Sequence, residues 1–335
     1  MNEERYPHAL DVLEREYSEN GFARGWAMHQ KPVPDYYFDA HLHYQNDNLG
    51  PYMEKALELD IMRANLIIKI HGGSPGELEP YADPDVFAWL NVDEVSKVWD
   101  RLDKERFFWT AWIDHREPRV DLVNAASDAG AQIIKLHNAP VIETNTPYDI
   151  WLSKAWQDVF AAMDKRKMPC LFHVTQRLPS SRYTGGGRNT YWAKGWENGV
   201  TYGNEDLLQA FLICVRRYPN IDFIGAHQLH IGWDRLEKLF IEFPNLYVDT
   251  SIGCTLRLYD DFYPHDKEYL RRIFIKWADR IIFGSDCFWG MENGKVNDIS
   301  QRQHKRFITA LDLPEDVLNK ICRSNIERIC NIQPM

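Results

Sequence analysis

The chain lacks the signatures of several classes of protein. No stretch approaches the roughly 18 consecutive apolar residues that a membrane-spanning helix needs, so we expect no membrane partner. No run of lysine or arginine stands out and the formal net charge is -10, which argues against a nucleic-acid partner. No GxGxxG motif follows the first apolar run, which argues against a Rossmann dinucleotide-binding fold. We therefore expect a small-molecule substrate.

Cysteine is sparse and scattered. The six cysteines form no CxxC pair, and several of them lie inside apolar runs. This usage in a chain of 335 residues is typical of a reducing compartment, so we expect a cytoplasmic protein. The remaining composition, 44% hydrophobic and 26% charged, is that of an ordinary globular domain.

Eight short apolar runs recur along the chain, separated by longer segments with helical spacing. Each run is apolar at nearly every position, as in a parallel strand that is buried on both faces. Strands that alternate with helices predict right-handed βαβ units, and eight of them favour an α/β fold of the closed (β/α)8 TIM-barrel type. The predicted strands are 36–44, 64–73, 106–116, 131–140, 169–176, 220–230, 245–253 and 279–290.

Two regions fall outside this alternation. Residues 1–35 are predicted to form an N-terminal helical extension, and residues 36–335 the TIM-barrel catalytic domain. Residues 177–204 follow the fifth strand and are rich in glycine, tryptophan and tyrosine. A loop of this length inside a compact domain is usually functional or disordered. Its place at the C-terminal end of a barrel strand favours an active-site lid.

Histidine, lysine and aspartate stand at the ends of several predicted strands, where TIM barrels place their catalytic groups. His41 and His43 share one face of the first strand because they are two residues apart. A lone histidine such as His137 is more often a core residue, but so many polar side chains around one axis would be costly to bury without a metal. Histidine and carboxylate suit zinc, iron or manganese. The other candidates are Lys135, His173, His227 and Asp286.

Four segments resemble motifs of the amidohydrolase superfamily, and most closely the amidohydrolase 2 group that includes aminocarboxymuconate-semialdehyde decarboxylase. These segments are FDAHLH (38–43), LFHV (171–174), FIGAHQLH (223–230) and FGSDCFW (283–289). The resemblance extends over nearly the whole predicted barrel. It implies a metal-dependent TIM-barrel enzyme of the hydrolase type.

The resemblance also implies a ligand set for the metal. One divalent ion, most often zinc and otherwise manganese or iron, would be bound by His41, His43, His173 and Asp286. His227 would orient or deprotonate the metal-bound water, and Asp286 would also shuttle a proton. A metal ion lowers the pKa of bound water towards ~7, and histidine titrates in the same range.

Two departures from the group's pattern leave alternatives open. Lys135 lies where binuclear amidohydrolases carry a carbamylated lysine that bridges two metals, so a second metal is an alternative to a lysine that binds substrate or pairs with a carboxylate. We expect one metal, because the wider pattern resembles the mononuclear group. In addition, Gln228, Leu229 and His230 stand where relatives often have glycines. His230 would either contact substrate or cap the next helix.

The 177–204 loop supplies arginines and aromatic residues that suit a carboxylated or flat substrate. Arginine offers a planar fork for carboxylates, and aromatic rings can cover a flat molecule. Arg182, Arg188 and Trp192 are therefore candidate substrate contacts. The alternative is that they pack the loop or line an oligomer contact, for which a homodimer is the default.

Two reactions fit this ligand set. The first is hydrolysis, in which metal-activated water attacks an amide, ester or lactone of a small carboxylated or aromatic substrate. The second is non-oxidative decarboxylation of a small aromatic or unsaturated carboxylic acid. Some decarboxylases of the group have glutamate in place of His41, so this histidine favours hydrolysis. A purely structural metal is disfavoured, because such sites are usually closed and rich in cysteine.

Overall fold

The computed structural model of the chain describes residues 34–44, 56–73, 89–176, 178, 190–251, 267–288, 291–292, 295–296 and 299–335. The helical extension predicted over 1–35 therefore lies outside the described residues except for its last two positions. The same holds for most of the predicted lid, including Arg182 and Arg188.

The strands form one parallel barrel. Each of the first seven strands pairs in parallel with the next, and the ninth pairs in parallel with the first, so the segment that carries the eighth and ninth strands closes the ring. This confirms the eight predicted strands and the (β/α)8 fold. They are β1 (Tyr37–His43), β2 (Ile61–Ile70), β3 (Phe107–Ile113), β4 (Ile133–His137), β5 (Cys170–His173), β6 (Phe223–Gly225), β7 (Leu246–Asp249), β8 (Ile281–Ile282) and β9 (Cys287–Phe288). A short antiparallel hairpin follows, β10 (Met291–Glu292) with β11 (Lys295–Val296).

Among the described residues, helices connect the strands from β2 to β8 as the spacing predicts, and two short helices add to the predicted set. The α-helices are α1 (Val92–Trp99), α2 (Val120–Asp128), α3 (Ala139–Glu143), α4 (Lys154–Arg166), α5 (Tyr191–Glu197), α6 (Asn204–Arg217), α7 (Trp233–Glu242), α8 (Lys267–Lys276), α9 (Ile299–Ala310), α10 (Glu315–Asn319) and α11 (Asn325–Ile329). A π-helical turn, Lys320–Ser324, joins the last two. Short 3-10 turns lie at Ile150–Leu152 and Ala278–Arg280, and a turn of different backbone conformation lies at Ala226–His230. Within the described residues, no helix is long and apolar enough to cross a bilayer.

Alternate residues of each strand face two different cores. The outward-facing side chains pack with the helices in the main hydrophobic core. The inward-facing side chains form an apolar layer across the barrel interior, and on several strands a polar side chain, such as Lys69, Lys135 or Asp249, follows two residues further along on the same face. The polar layer therefore lies at the C-terminal mouth of the barrel, where the site was predicted. The apolar layer contains Phe38, Ile67, Phe108, Ile133, Leu171, Ile224, Tyr247 and Ile282.

A bulge in β1 aims the HxH pair inward. Between Asp39 and Leu42, three steps along β1 correspond to two steps along β2. Ala40 packs in the barrel interior, so regular alternation would point His41 away from it. The extra residue returns His41 and His43 to the inner face, which is a common use of bulges next to active sites.

The end of the predicted lid is a helix and not a loop. Helix α5 packs closely on α3, because a Cβ at Gly195 would lie 2.5 Å from Ile142 Cγ2. Trp192 is only 1% exposed, and its indole N–H donates to Gln176 O (3.3 Å) and Asn204 Oδ1 (3.2 Å). These contacts correct the prediction of a continuous loop over 177–204. They also give Trp192 a packing role, whereas a lid over the mouth stays a prediction for the preceding residues.

Candidate metal centre

Three buried side chains converge at the mouth of the barrel. His41, His227 and Asp286 each offer one donor atom, and these atoms all lie within 4.8 Å of one another. Asp286 Oδ1 lies 3.1 Å from His41 Nε2, and Asp286 Oδ2 lies 3.8 Å from His227 Nε2. Two imidazoles and a carboxylate are a donor set that zinc and other divalent transition metals accept.

The other two predicted ligands border this group. His43 Nε2 lies 3.1 Å from Asp286 Oδ1, on β1 beside His41. The ring of His173 packs edge-on against the ring of His227, with 4.3 Å between centroids. The structure thus brings the four predicted ligands and His227 into one cluster.

Asp249, at the end of β7, holds two of these imidazoles. His41 Nδ1 donates to Asp249 Oδ2 over 2.6 Å. Ser251 Oγ donates to Asp249 Oδ1 (2.5 Å) and lies 2.7 Å from His227 Nδ1. Because the serine proton is given to the carboxylate, Ser251 accepts from His227 Nδ1–H. Asp249 therefore orients both imidazoles so that their Nε2 atoms face Asp286. Carboxylates that do not bind the metal themselves commonly orient metal-binding histidines in this way.

Asp249 and Ser251 were not among the site residues predicted from the sequence. Asp249 lies two residues after Tyr247, which faces the barrel interior, so the strand alternation could have marked it as a polar residue at the mouth. Nothing in the local sequence could have shown that it contacts His41, because that contact depends on how β7, β8 and β1 meet when the barrel closes.

Burial and nearby charge set the protonation of the cluster. Burial lowers the pKa of His43 to about 4 and that of His227 to about 3, so both are neutral at pH 7. Burial would raise the pKa of Asp286, but His41 together with hydrogen bonds from the imidazoles holds it well below its usual range. The centre therefore combines an anionic oxygen with neutral imidazole nitrogens near neutral pH.

His41 differs from its neighbours. Burial and Lys135 both oppose a positive charge on this ring, but the carboxylates of Asp286 and Asp249 outweigh them and raise the pKa of His41. Lys135 Nζ also lies 3.0 Å from His41 Nε2, the nitrogen that would carry the added proton. Two proton donors cannot face one another, so one of these nitrogens must offer a lone pair. A nitrogen lone pair beside the Asp286 carboxylate is a donor set for a divalent cation. The residues present therefore fit a metal.

Lys135 is fully buried on the inner face of β4, and burial lowers its pKa to about 8. Its Nζ contacts Nε2 of His41, one of the proposed metal-binding atoms. This position is compatible with a bridging ligand and with a cation that faces a bound anion. The choice between one metal and two stays a prediction.

A second buried carboxylate, Asp39 on β1, binds the segment that follows β8 and also helix α9. Asp39 accepts from Ser285 Oγ (2.6 Å), Ser285 N (3.0 Å) and Gln301 Nε2 (2.7 Å). Gly284 passes so close to β1 that a Cβ there would lie 2.9 Å from His41 Cβ. The FDAHLH and GSD segments thus contact each other directly, which brings Asp286 to the histidines.

A left-handed turn follows β6. His227, Gln228, Leu229 and His230 have φ angles of 56°, 50°, 58° and 50°. Residues other than glycine avoid this region, at a cost of roughly 1–2 kcal/mol each in a left-handed helix. Here that backbone is formed by four consecutive residues other than glycine. As a result the rings of His227 and His230 stack in parallel, 9° apart in plane and 5.1 Å between centroids.

Specific hydrogen bonds stabilise this turn. Gln228 Nε2 donates to Asp249 O (2.5 Å) and to Ser251 O (3.0 Å). Thr175 Oγ1 donates to Leu229 O from the end of β5. The strained backbone is therefore tied to the strands on both sides, as is typical of strain at a functional site.

His230 lies at the end of that turn. Helix α7 begins at Trp233 with Gly232 as its N-cap, so His230 does not cap it and that alternative is wrong. The ring of His230 lies 6.1 Å from the ring of His173, between centroids. Substrate contact stays the prediction for this side chain.

Comparisons with known proteins agree with this geometry. The chain belongs to the amidohydrolase family, whose sequence model matches residues 38–331. Enzymes of this family usually depend on a metal, and the His/His/Asp group described above is a suitable site. No match is found among curated proteins.

Several solved structures are similar in fold. A dihydroorotase from Campylobacter jejuni has a TM-score of 0.55 and 15% identity, over 91% of this chain and 86% of that one. The 5-carboxyvanillate decarboxylase of Sphingomonas paucimobilis has a TM-score of 0.54 and 12% identity, over 89% and 99%. A 2,6-dihydroxybenzoate decarboxylase from Rhizobium has a TM-score of 0.51 and 17% identity, over 91% and 99%. At such identities the likeness shows the fold alone.

Proposed function

We propose that the chain is a metal-dependent hydrolase of a small carboxylated or aromatic amide, ester or lactone. The proposed ligands are His41, His43, His173 and Asp286, with one zinc ion as the expected metal and manganese or iron as alternatives. The proposal depends mainly on one observation. Asp249 orients the imidazoles of His41 and His227 so that their Nε2 atoms face Asp286.

His227 has the geometry of a proton acceptor. A bound divalent ion would supply a Lewis acid at this point and favour the ionisation of water near neutral pH. The Nε2 atom of His227 carries a lone pair, because Nδ1–H is given to Ser251. A proton taken at Nε2 leaves an imidazolium whose charge Asp249 balances through Ser251. Asp286, 3.8 Å from the same nitrogen, can pass that proton to the leaving group.

Decarboxylation is the second candidate. It is supported by the activities of two proteins of similar fold, the 5-carboxyvanillate and 2,6-dihydroxybenzoate decarboxylases. The same ligand set would serve it, with the substrate carboxylate beside the metal. The histidine at position 41 favours hydrolysis, as stated above.

Metal analysis of the purified protein and of His41→Ala tests the site. We expect bound divalent metal in the wild type and its loss in the variant. Asn198→Ala is a control. Within the described residues, the Asn198 side chain donates one hydrogen bond, to the Glu143 carbonyl, and contacts no member of the metal cluster. Full metal content in His41→Ala would contradict the ligand assignment.

Product analysis separates the two reactions. The metal-loaded enzyme is offered a panel of lactones, esters and amides, and in parallel a panel of carboxylated aromatics with CO₂ release as the readout. Hydrolysis without CO₂ release is expected. CO₂ release from the second panel alone would favour the decarboxylase, and inactivity on both would contradict each.

We further propose a cytoplasmic location and a homodimer. The five cysteines within the described residues are all free and buried, which supports a reducing compartment. Sedimentation analysis of the purified protein tests the dimer.

A further inference from the structure

His137 lies at the mouth of the barrel but has no place in the proposed ligand set. It stands at the end of β4, on the same inner face as Lys135, and it is only 7% exposed. Trp112 stacks on its ring, with 5.1 Å between centroids and planes 22° apart. The ring of His173 packs edge-on against it at 4.2 Å. His137 is therefore held rigidly beside a proposed metal ligand.

A backbone hydrogen bond fixes which nitrogen of His137 carries the proton. The amide N–H of Ala139, the first residue of α3, donates to His137 Nδ1 over 2.9 Å. A nitrogen that accepts a hydrogen bond must hold a lone pair, so the ring proton is on Nε2. This bond excludes the doubly protonated ring as well. Nε2 of His137 is thus a permanent donor and never an acceptor.

The described part of the chain gives this donor no acceptor. The bond from Ala139 is the one hydrogen bond of the His137 side chain among the described residues, and it engages the other nitrogen. Its nearest ring, His173, has a nitrogen lone pair that the metal takes under the proposed function. The Nε2–H group at the barrel mouth is therefore open to an acceptor that a ligand brings.

We propose that His137 binds a carboxylate oxygen of the substrate through Nε2–H, on the β4–β5 side of the metal position. This proposal rests on the proposed function for the place of the metal and adds the residue that orients the substrate.

A carboxylate is the class of acceptor that the surroundings favour. Lys69, on the inner face of β2, is 4% exposed, and its Nζ lies 5.1 Å from the centroid of the Trp112 ring. The same nitrogen lies 5.1 Å from the ring of Trp89. The wall on which His137 stacks therefore also carries a buried lysine, a side chain of the type that attracts anions. A donor-only nitrogen on such a wall disfavours amines and other cationic groups.

Two substitutions of similar size separate ligand binding from a structural role. His137→Gln places an amide N–H near the position of Nε2 and removes the acceptor for Ala139 N–H. His137→Asn does the reverse, because its oxygen lies near the position of Nδ1 and it does not reach the position of Nε2. If His137 serves only to accept from Ala139, Asn is the better replacement. If it serves to bind a carboxylate, Gln is the better one.

The readout is the affinity of the metal-loaded protein for acetate, a minimal carboxylate, measured by calorimetry with metal content determined on the same samples. We expect His137→Gln to stay close to the wild type and His137→Asn to bind acetate roughly ten- to a hundredfold more weakly, with metal content unchanged in both. Equal affinity in Asn and wild type, a better result for Asn than for Gln, or no binding of acetate to the wild type would overturn the proposal.

A spectroscopic measurement on the wild type makes the test independent of ligand affinity and of the metal. Imidazole ¹⁵N shifts of the wild type, assigned by their loss in His137→Gln, should show protonation of His137 at Nε2 alone. Protonation at Nδ1 would overturn the proposal even if the metal is present. Absence of metal from the wild type, with the Nε2 proton in place, would instead count against the proposed function.

Discussion

The two halves of the barrel mouth hold their histidines by different means. In the carboxylate half, which consists of His41, His227, Asp249, Ser251 and Asp286, hydrogen bonds from Nδ1 fix the imidazoles. In the aromatic half, which consists of Trp112, His137, His173 and Tyr191, the rings are held by stacking and edge contacts. The first half presents lone pairs of known direction, as a cation needs. The second presents the N–H of His137 and flat surfaces, as a substrate needs, and its His173 borders the proposed metal position.

The two halves also differ in how strictly they fix the direction of a side chain. Hydrogen bonds to a buried carboxylate set the direction of a nitrogen closely, whereas ring packing fixes position with fewer constraints on what a ligand must be. A metal requires the first property and a substrate that leaves after reaction tolerates the second. The predictions below act on this contrast.

The largest effect is expected from Asp249→Asn, which removes the charge that orients both His41 and His227 at nearly constant size. We expect the affinity for zinc to fall by about 10- to 100-fold, as for other groups that orient metal-binding histidines. Competition with a chelator of known affinity measures it. Wild-type affinity in the variant would mean that the carboxylate half does not direct the metal.

A smaller effect is expected from Ser251→Ala, which cuts only the connection between His227 and Asp249. Since His227 is proposed to handle the proton and not to bind the metal, metal content should be retained while kcat falls by about tenfold, the equivalent of one hydrogen bond. Steady-state kinetics and metal analysis on the same preparation provide the check. Metal loss as severe as in Asp249→Asn would show that His227 is itself a ligand.

The smallest effect is expected from Trp192→Phe, outside both halves. The variant loses the indole N–H that donates to Gln176 and Asn204, so the free energy of unfolding should drop by about 1 kcal/mol. Metal affinity and turnover should not change. Denaturant unfolding measures the first quantity, and a fall in turnover at unchanged stability would instead restore Trp192 as a substrate contact.

The sequence predicts the strands because their physics is local. An apolar run buried on both faces is visible without knowledge of the partner strand, and all eight runs form strands in the barrel. Helix α5 escaped prediction because Gly195 stands in its middle, where glycine weakens helix propensity. The reason for that glycine is the close approach to Ile142, which is a tertiary contact.

The residue types at the site could be predicted from the sequence, but the contacts that orient them could not. The strand-end positions of His41, His173 and Asp286 follow from motif and spacing. The bulge in β1 and the role of Asp249 depend on register and on closure of the ring, which no local pattern records. The left-handed turn after β6 contradicts the preference of its own residues, so no propensity could have predicted it.

Closure of the ring by its last strand has a consequence for how the chain acquires its activity. Ser285 and Asp39, whose hydrogen bond brings the ends of the barrel together, are 246 residues apart in the sequence. Contacts of such separation form late in folding, after the entropy of a very long loop has been overcome. A chain still under synthesis, or one that has lost its final βα unit, has the first-strand histidines but no Asp286 beside them. Tightly bound metal would then be a property of completed barrels, and its content in a preparation would measure the fraction of chains that have finished folding.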